Sequence, residues 1–102
     1  MSAQRKEAMG RMWVRAVKGH RATRDLTVPC RRAAPQEALR EALRALDLGM
    51  PMWLGRHQAD WDAFALTRFL PEHFLENVDF DRLEVSYIAP DEERKPRPIQ
   101  ED

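Results

Sequence analysis

The amino-acid sequence predicts an α+β domain in which an antiparallel sheet is covered on one face by two helices, in the order β-β-α-(β)-α-β. Three observations support this class: a strand-like pair joined by a tight turn, one strongly amphipathic helical segment, and one alternating strand near the C-terminus. The 102 residues are enough for one domain. We assign residues 11–90 to this domain, residues 1–10 to a flexible N-terminus and residues 91–102 to a disordered tail rich in acids and proline.

The sheet is predicted to begin with a hairpin formed by residues 11–18 and 21–28, which are rich in β-branched and aromatic side chains. Because only Gly19 and His20 separate the two runs, we expect a two-residue turn with glycine at its first position. Both faces of the first run carry apolar side chains, so its buried face stays open. Pro29 has no amide hydrogen and is expected to end the second strand.

The clearest helical signal covers residues 35–48. Proline suits the first turn of a helix, and Gly49 is expected in the left-handed conformation just after its end. Four apolar residues recur at helical spacing, and we expect this stripe to pack on the hairpin: Leu39, Ala42, Leu43 and Leu46.

A second, shorter helix is expected over residues 60–68, with Asp60 as its N-cap. Residues 82–89 alternate between apolar and polar side chains, which predicts a half-buried strand. The helix is expected to bury Trp61, Phe64 and either Ala65 or Arg68. The strand is expected to bury Leu83, Val85 and Tyr87.

Between the two helices lies the apolar segment Met50-Pro51-Met52-Trp53-Leu54, which we expect to be a buried edge strand or a packed loop. Methionine repacks easily, and tryptophan is enriched among interface hot spots. Two interpretations stay open. Either Trp53 fills the core under the helices, or Met50, Met52 and Trp53 contact a protein partner or a second copy of this chain.

The charges are distributed unevenly along the chain. Residues 1–44 contain eleven Lys and Arg against four Asp and Glu, whereas residues 45–102 contain six against thirteen. This pattern indicates either a basic nucleic-acid arm with an acidic tail or a basic strand beside an acidic strand in one sheet. The second is favoured because a net charge of zero exerts no long-range attraction on a polyanion. The nucleic-acid alternative would use Trp13 and six basic residues: Arg11, Arg15, Lys18, Arg21, Arg31 and Arg32.

Arg68 lies in an otherwise apolar stretch, residues 65–70. A guanidinium is costly to bury without a carboxylate partner. We therefore expect a partly buried ion pair with Glu84 or with one of the aspartates Asp79 and Asp81.

No catalytic signature is found. The four potential soft-metal ligands, His20, Cys30, His57 and His73, lack the spacing of a metal site, and the four glycines form no phosphate-binding loop. We expect no catalytic residue, no metal and no cofactor. A small enzyme that uses the carboxylate and arginine cluster remains a third alternative.

The sequence also indicates a compartment. It contains too little continuous apolar sequence for a membrane span, and its single cysteine excludes an internal disulfide. Residues 1–10 lack the apolar region of a secretory signal. We therefore expect a cytoplasmic domain with no membrane contact.

Four short motifs carry a resemblance to known proteins: Trp13-x-Arg15-x-Val17-Lys18, Asp47-Leu48-Gly49-x-Pro51-x-Trp53-Leu54, Thr67-Arg68-Phe69 and Asp79-Phe80-Asp81-x-Leu83-Glu84. In these motifs the chain resembles small uncharacterised bacterial proteins of roughly 90 residues, whose function is not known. The resemblance implies one structural unit and no activity, cofactor or partner. Our leading hypothesis is a small non-enzymatic binding or adaptor domain that acts through protein contacts, and the alternative is nucleic-acid binding through the basic hairpin.

Overall fold

The computed structural model describes residues 9–90, and it has the predicted α+β architecture. The predicted flexible N-terminus and disordered tail lie outside the described residues, except that Gly10 already begins a strand. In chain order the elements are β1 (Gly10–Lys18), β2 (Arg21–Cys30), α1 (Pro35–Ala45), α2 (Gly55–Phe64), β3 (Leu66–Phe69), a 3-10 turn (Pro71–His73) and β4 (Arg82–Ile88).

The four strands form one antiparallel sheet in the order β2-β1-β4-β3. The predicted hairpin is confirmed, and Gly19 in its turn has a φ of 64°, a conformation that glycine adopts without strain. The segment 50–54, for which the sequence predicts an edge strand or a packed loop, is a loop. The fourth strand of the sheet is instead β3.

The sheet buries one face of β1, and this answers the question that the sequence leaves open. Met12, Val14 and Ala16 are fully buried against the helices. The opposite residues of β1, among them Trp13 and Arg15, lie on the other face of the sheet, which we call the open face.

The second strand continues past Pro29 to Cys30, so the expectation that Pro29 ends it is wrong. Pro29 lies opposite Arg11 in the hairpin. Because β2 is an edge strand, a residue without an amide hydrogen is tolerated there.

Helix α1 packs its predicted stripe on β1 and β2, with Leu39 and Leu43 almost fully buried. It ends at Ala45, earlier than expected. The left-handed residue after it is Asp47, with a φ of 62°, and not Gly49.

Helix α2 differs most from its prediction. It begins at Gly55, so Asp60 lies inside the helix, where its carboxylate accepts a hydrogen bond from Thr67 Oγ1 at 3.1 Å. Trp61 is buried as expected, but Phe64 is 68% exposed. The chain leaves the helix through Ala65 in the left-handed conformation and enters β3 directly.

Close packing at the start of β1 leaves no room for a side chain. A Cβ at Gly10 would overlap the carbonyl oxygen of Ile88 and the ring of Tyr87. Glycine is therefore the residue that fits this position. No helix of the described residues is long and apolar enough to cross a membrane.

Candidate functional site

Two short turns in the structure share the pattern Leu-x-x-His. One is residues 54–57 at the start of α2, and the other is residues 70–73, which includes the 3-10 turn. In each, the histidine Nδ1 accepts a hydrogen bond from the leucine backbone N–H, at 2.8 Å in the first turn and 2.9 Å in the second. A glutamate or glutamine usually takes this position in a capping box. Here an imidazole takes it twice.

The two imidazoles meet in one ring cluster, which consists of Trp53, His57, Phe69 and His73. His57 stacks on Phe69 with ring centroids 4.2 Å apart, and the His73 ring stands edge-on to His57 at 4.8 Å. Trp53 packs on Phe69 at 5.7 Å. His57 is 0% exposed and His73 is 5% exposed, so both imidazoles belong to the interior.

The hydrogen bonds determine where the ring protons lie. Because Nδ1 of His57 is an acceptor, the neutral ring carries its proton on Nε2, and that buried nitrogen has no hydrogen-bond partner. Burial lowers the pKa of His57 below its ordinary value of 6.5, and the neighbouring His73 and Arg56 lower it further. His57 is therefore neutral at pH 7.

Two hydrogen bonds join the loop 49–54 to the loop 73–76, and the loops run in opposite directions. The backbone N–H of Met52 donates to the carbonyl of His73 at 2.9 Å. The backbone N–H of Gly49 donates to Glu76 Oε2 at 3.0 Å. The ring cluster therefore supports both loops.

Large apolar side chains project from these two joined loops. Met52 is 46% exposed and Leu54 is 39% exposed. Leu75, which lies between the two hydrogen-bonded residues His73 and Glu76, is 95% exposed. We call Met52, Leu54 and Leu75 the apolar patch. Beside it, Met50 is half-buried and lines a surface groove of about 380 Å³ together with Arg40, Arg44 and Glu76.

The structure divides the predicted contact residues into two kinds. Met52 is exposed, whereas Met50 and Trp53 are half-buried against the core. Trp53 packs in the ring cluster, and its Nε1 donates a hydrogen bond to Gln58 Oε1 at 2.9 Å. Trp53 therefore anchors the loop that carries Met52.

The open face of the sheet carries a row of alternating charges. Across the four strands, Asp25, Arg15, Glu84 and Arg68 lie opposite one another. Arg15 on β1 and Glu84 on β4 form one ion pair across the ladder, but β4 also carries Arg82 and is neutral overall, so the structure does not place a basic strand beside an acidic one. A surface cavity of about 200 Å³ is lined by Arg15, Glu84 and Arg68.

The expected ion pair of Arg68 is not formed. Glu84 is bound by Arg15 and by Arg82, whose Nε lies 2.7 Å from Glu84 Oε2. The hydrogen bond from Arg82, helped by the charge of Arg15, lowers the pKa of Glu84. Arg68 lies on a strand rather than in a helix, and its side chain is exposed and needs no partner.

The six basic residues of the nucleic-acid alternative do not form one patch. Lys18 and Arg21 lie opposite each other beside the turn of the hairpin. Arg31 follows the end of β2, at the other end of the hairpin, which is about 25 to 30 Å away for a nine-residue strand. Arg11 is exposed on the open face. The remaining two, Arg15 and Arg32, make contacts within the domain.

Arg15 and Arg32 both make structural contacts. Arg15 pairs with Glu84, and its guanidinium lies 4.4 Å from the ring centroid of Trp13. Arg32 donates hydrogen bonds to the backbone carbonyls of Trp61 and Asp62 at 2.8 and 3.2 Å. It also lies near the rings of Trp61 and Tyr87.

The potential nucleophile and metal ligands are scattered. Cys30 is buried, and burial raises the pKa of its thiol to about 11 against the opposing effect of Arg32. The thiol is therefore protonated at neutral pH and a poor nucleophile. Within residues 9–90, no three side chains of His, Cys, Asp or Glu converge in a way that could hold a metal ion.

Sequence reasoning treats His57 and His73 only as metal ligands and misses both the ring cluster and Leu75. The repeated Leu-x-x-His pattern is the signal that could have linked the two histidines. No periodicity marks Leu75, because it lies in a loop. No protein-family model, curated protein or solved structure matches the chain.

Proposed function

We propose that this domain is a non-enzymatic binding or adaptor module that docks a partner protein on the apolar patch. The observation that carries the proposal is the 95% exposure of Leu75 between two hydrogen bonds that fix its loop. Fully burying a leucine side chain contributes about 1.5 to 3 kcal/mol. An exposed leucine on a fixed loop therefore supplies an anchor for a binding surface.

The arrangement around the patch suits protein contact. The ring cluster and the ties to His73 and Glu76 hold the two loops in place, which reduces the ordering cost of binding. Arg40, Arg44 and Glu76 supply polar groups beside the apolar side chains, as at the rim of a protein interface. The partner that fits is a polypeptide with an apolar surface and charged groups of both signs.

Site-specific photo-cross-linking in the native cell tests this function. A photoreactive residue at position 75 is compared with one at position 36, which is exposed on α1. We expect a discrete protein adduct from position 75 only, and we expect Met52→Asp to reduce its yield at least tenfold. Phe64→Asp is the matched control, because Phe64 is equally apolar and 68% exposed elsewhere. Equal labelling from positions 75 and 36, or an equal loss with Phe64→Asp, would contradict the proposal.

Sedimentation velocity tests whether the partner is a second copy of this chain. If the adduct is a homodimer, the wild-type protein sediments with a concentration-dependent coefficient, and Leu75→Asp sediments as a monomer. An adduct of another mass identifies a different protein.

Nucleic-acid binding is the second candidate, and the stacked pair of Trp13 and Arg15 on the open face favours it. An aromatic ring beside a guanidinium can support a stacked base. It ranks lower because Glu84 neutralises Arg15 and Trp13 Nε1 donates to Asp25 at 2.8 Å. Non-specific binding would have a dissociation constant of about 10⁻⁴ to 10⁻⁶ M that tightens at low salt and weakens in Arg15→Glu.

A further inference from the structure

We propose that His57 and His73 form an acid-sensitive latch that holds the apolar patch in its docking form while both imidazoles are neutral and releases its two loops when they take up protons. This inference names the regulation of the patch, and in that respect it rests on the proposed function. The conformational change itself requires no partner.

The first step of the argument is the hydrogen bond at each Nδ1. A protonated imidazole carries hydrogens on both nitrogens and accepts no hydrogen bond. Protonation of His57 therefore removes the bond from the Leu54 N–H, and protonation of His73 removes the bond from the Leu70 N–H. In each turn the protonated Nδ1–H then faces the leucine N–H, and the turn loses the hydrogen bond that closes it.

The second step is the coupling between the two rings. Their centroids are 4.8 Å apart, and both side chains are at least nine-tenths buried. Two cations at this separation repel each other, and burial disfavours the charged form of His57. The protonated state is therefore relieved when the turns separate and the rings reach water.

The charged groups around the rings do not provide a compensating partner. Asp60 and the backbone of Arg68 favour protonation of His57, but burial, His73 and Arg56 outweigh them, and the Asp60 carboxylate already accepts a hydrogen bond from Thr67. Besides the two histidines, the titratable and charged groups on the elements packed against the rings are Arg56, Asp60 and the exposed Asp62 on α2, Arg68 on β3, and Glu72 on the 3-10 turn. Arg56 opposes protonation of His57, and the side chains of Arg68 and Glu72 are exposed.

The third step is what the rings hold in place. Trp53 packs on His57 and Phe69, and Met52 is hydrogen-bonded to the carbonyl of His73. Opening of the two turns therefore detaches the loops that carry Met52, Leu54 and Leu75. The hairpin and α1 make none of these contacts and are expected to remain folded.

Hydrogen exchange measured by mass spectrometry tests the latch on the full chain at pH 7.5 and pH 5.0, with rates corrected for the intrinsic effect of pH. We expect peptides covering residues 49–57 and 70–76 to exchange at least tenfold faster at pH 5.0. Peptides from β1, β2 and β4 are expected to be unchanged. Equal corrected rates at both pH values, or a uniform increase over the whole chain, would overturn the proposal.

Two variants separate the latch from other acid effects. In the double variant His57→Gln and His73→Gln, the side-chain oxygens can accept the same amide hydrogen bonds but do not titrate. We expect this variant to lose the pH response, whereas His20→Gln, in the exposed hairpin turn, keeps it. An undiminished response in the double variant would refute the role of the two rings.

A measurement on the wild-type protein covers the case in which the double variant does not fold. The ring protons of His57 and the methyl groups of Leu75 are followed by NMR as the pH is lowered. We expect both sets of signals to change with one midpoint. A His57 titration that leaves the Leu75 signals unmoved would show that protonation does not release the patch.

The latch and the docking function fail separately. Hydrogen exchange reports on the latch without any partner, and cross-linking from position 75 in a lysate of the native cell buffered at pH 7.5 reports on docking. If both hold, the cross-link is lost at pH 5.0 in the wild type and retained in the double glutamine variant. Retention in both proteins at pH 5.0 would overturn the regulatory role.

Discussion

The two helices have similar lengths, 11 residues in α1 and 10 in α2, but they are held to the sheet in different ways. Helix α1 buries a continuous stripe that includes Leu39 and Leu43. Helix α2 buries only His57 and Trp61, and polar contacts orient both residues. One helix is attached by apolar area and the other by a few directed hydrogen bonds.

This difference shows why the candidate site is found beside α2. Burial of aliphatic side chains is non-directional and does not depend on pH, so α1 stabilises the fold under all conditions. The contacts of α2 depend on specific atoms and, at His57, on a proton.

The largest effect is expected from Leu43→Ala in the stripe of α1. Because Leu43 is 1% exposed, its truncation should lower the free energy of unfolding by about 2 to 5 kcal/mol. Urea denaturation measures the change. Arg40→Ala, on the exposed side of the same helix, should stay within about 0.5 kcal/mol of the wild type. A change this small in Leu43→Ala would place the stripe on the surface.

A directed contact of α2 is removed by Trp61→Phe. The indole Nε1 donates to the carbonyl of Arg32 at 2.8 Å, and the variant leaves that carbonyl without its partner. We expect a loss of about 1 to 3 kcal/mol in urea denaturation. Trp53→Phe removes the corresponding donor to Gln58 at a half-exposed site and should cost only about 0.5 to 1.5 kcal/mol. Equal losses would mean that burial does not distinguish the two indoles.

Between pH 7.5 and pH 5.5, we expect the stability to depend on pH through the buried His57 on α2 and not through α1. The pKa of His57 is lower in the folded chain than its ordinary value of 6.5, so the unfolded chain takes up the proton first. The stability that His57 contributes is complete above about pH 6.5 and is lost as the pH falls below it, by at most about 1.4 kcal/mol per pH unit for one proton. Denaturation curves at pH 7.5 and 5.5 measure this loss.

Two controls sharpen the pH prediction. The free energy of unfolding that Leu43→Ala loses relative to the wild type should be the same at both pH values, because burial of Leu43 involves no proton. The variant should therefore keep the pH dependence of the wild type. Glu84, whose pKa lies below 4.5, contributes its own loss only at lower pH. A pH slope that disappears in Leu43→Ala would contradict the separation of the two helices.

The smallest effect concerns the ends of the two helices, which both pass through a left-handed residue. Asp47 has a φ of 62° and Ala65 has a φ of 60°. This conformation is unfavourable for alanine and better tolerated by aspartate. Ala65→Gly should therefore raise the stability by about 0.5 to 1 kcal/mol, and Asp47→Gly should raise it less. Thermal unfolding of the two glycine variants measures both gains. A larger gain for Asp47→Gly than for Ala65→Gly would contradict the explanation from the left-handed conformation.

The elements with a local signal could be predicted from the sequence. The hairpin follows from two strand-like runs around Gly19, and α1 follows from the apolar spacing that includes Leu39 and Leu43. Residues 82–89 alternate, and β4 covers Arg82–Ile88. In each case the periodicity of one segment reflects the single face that it buries.

The remaining elements depend on contacts between distant segments. The start of α2 is closed by His57, which lies three residues after Leu54, and neither residue is a usual helix-start signal. Asp60 resembles an N-cap in sequence but binds Thr67. His57 and His73 become neighbours only because β3 returns the chain to the start of α2.

Gly10 places a restriction on how the sheet can be assembled. Its backbone packs where a side chain would overlap Ile88 and Tyr87, at the junction of the first and last strands of the described chain. If β1 slipped by one residue along β4, Arg11 would bring a large side chain into this position. The absence of a side chain at Gly10 therefore helps to specify the register of β1 and β4, two strands that are far apart in sequence. Alternation of apolar and polar residues alone would not exclude the shifted registers that this close packing disfavours.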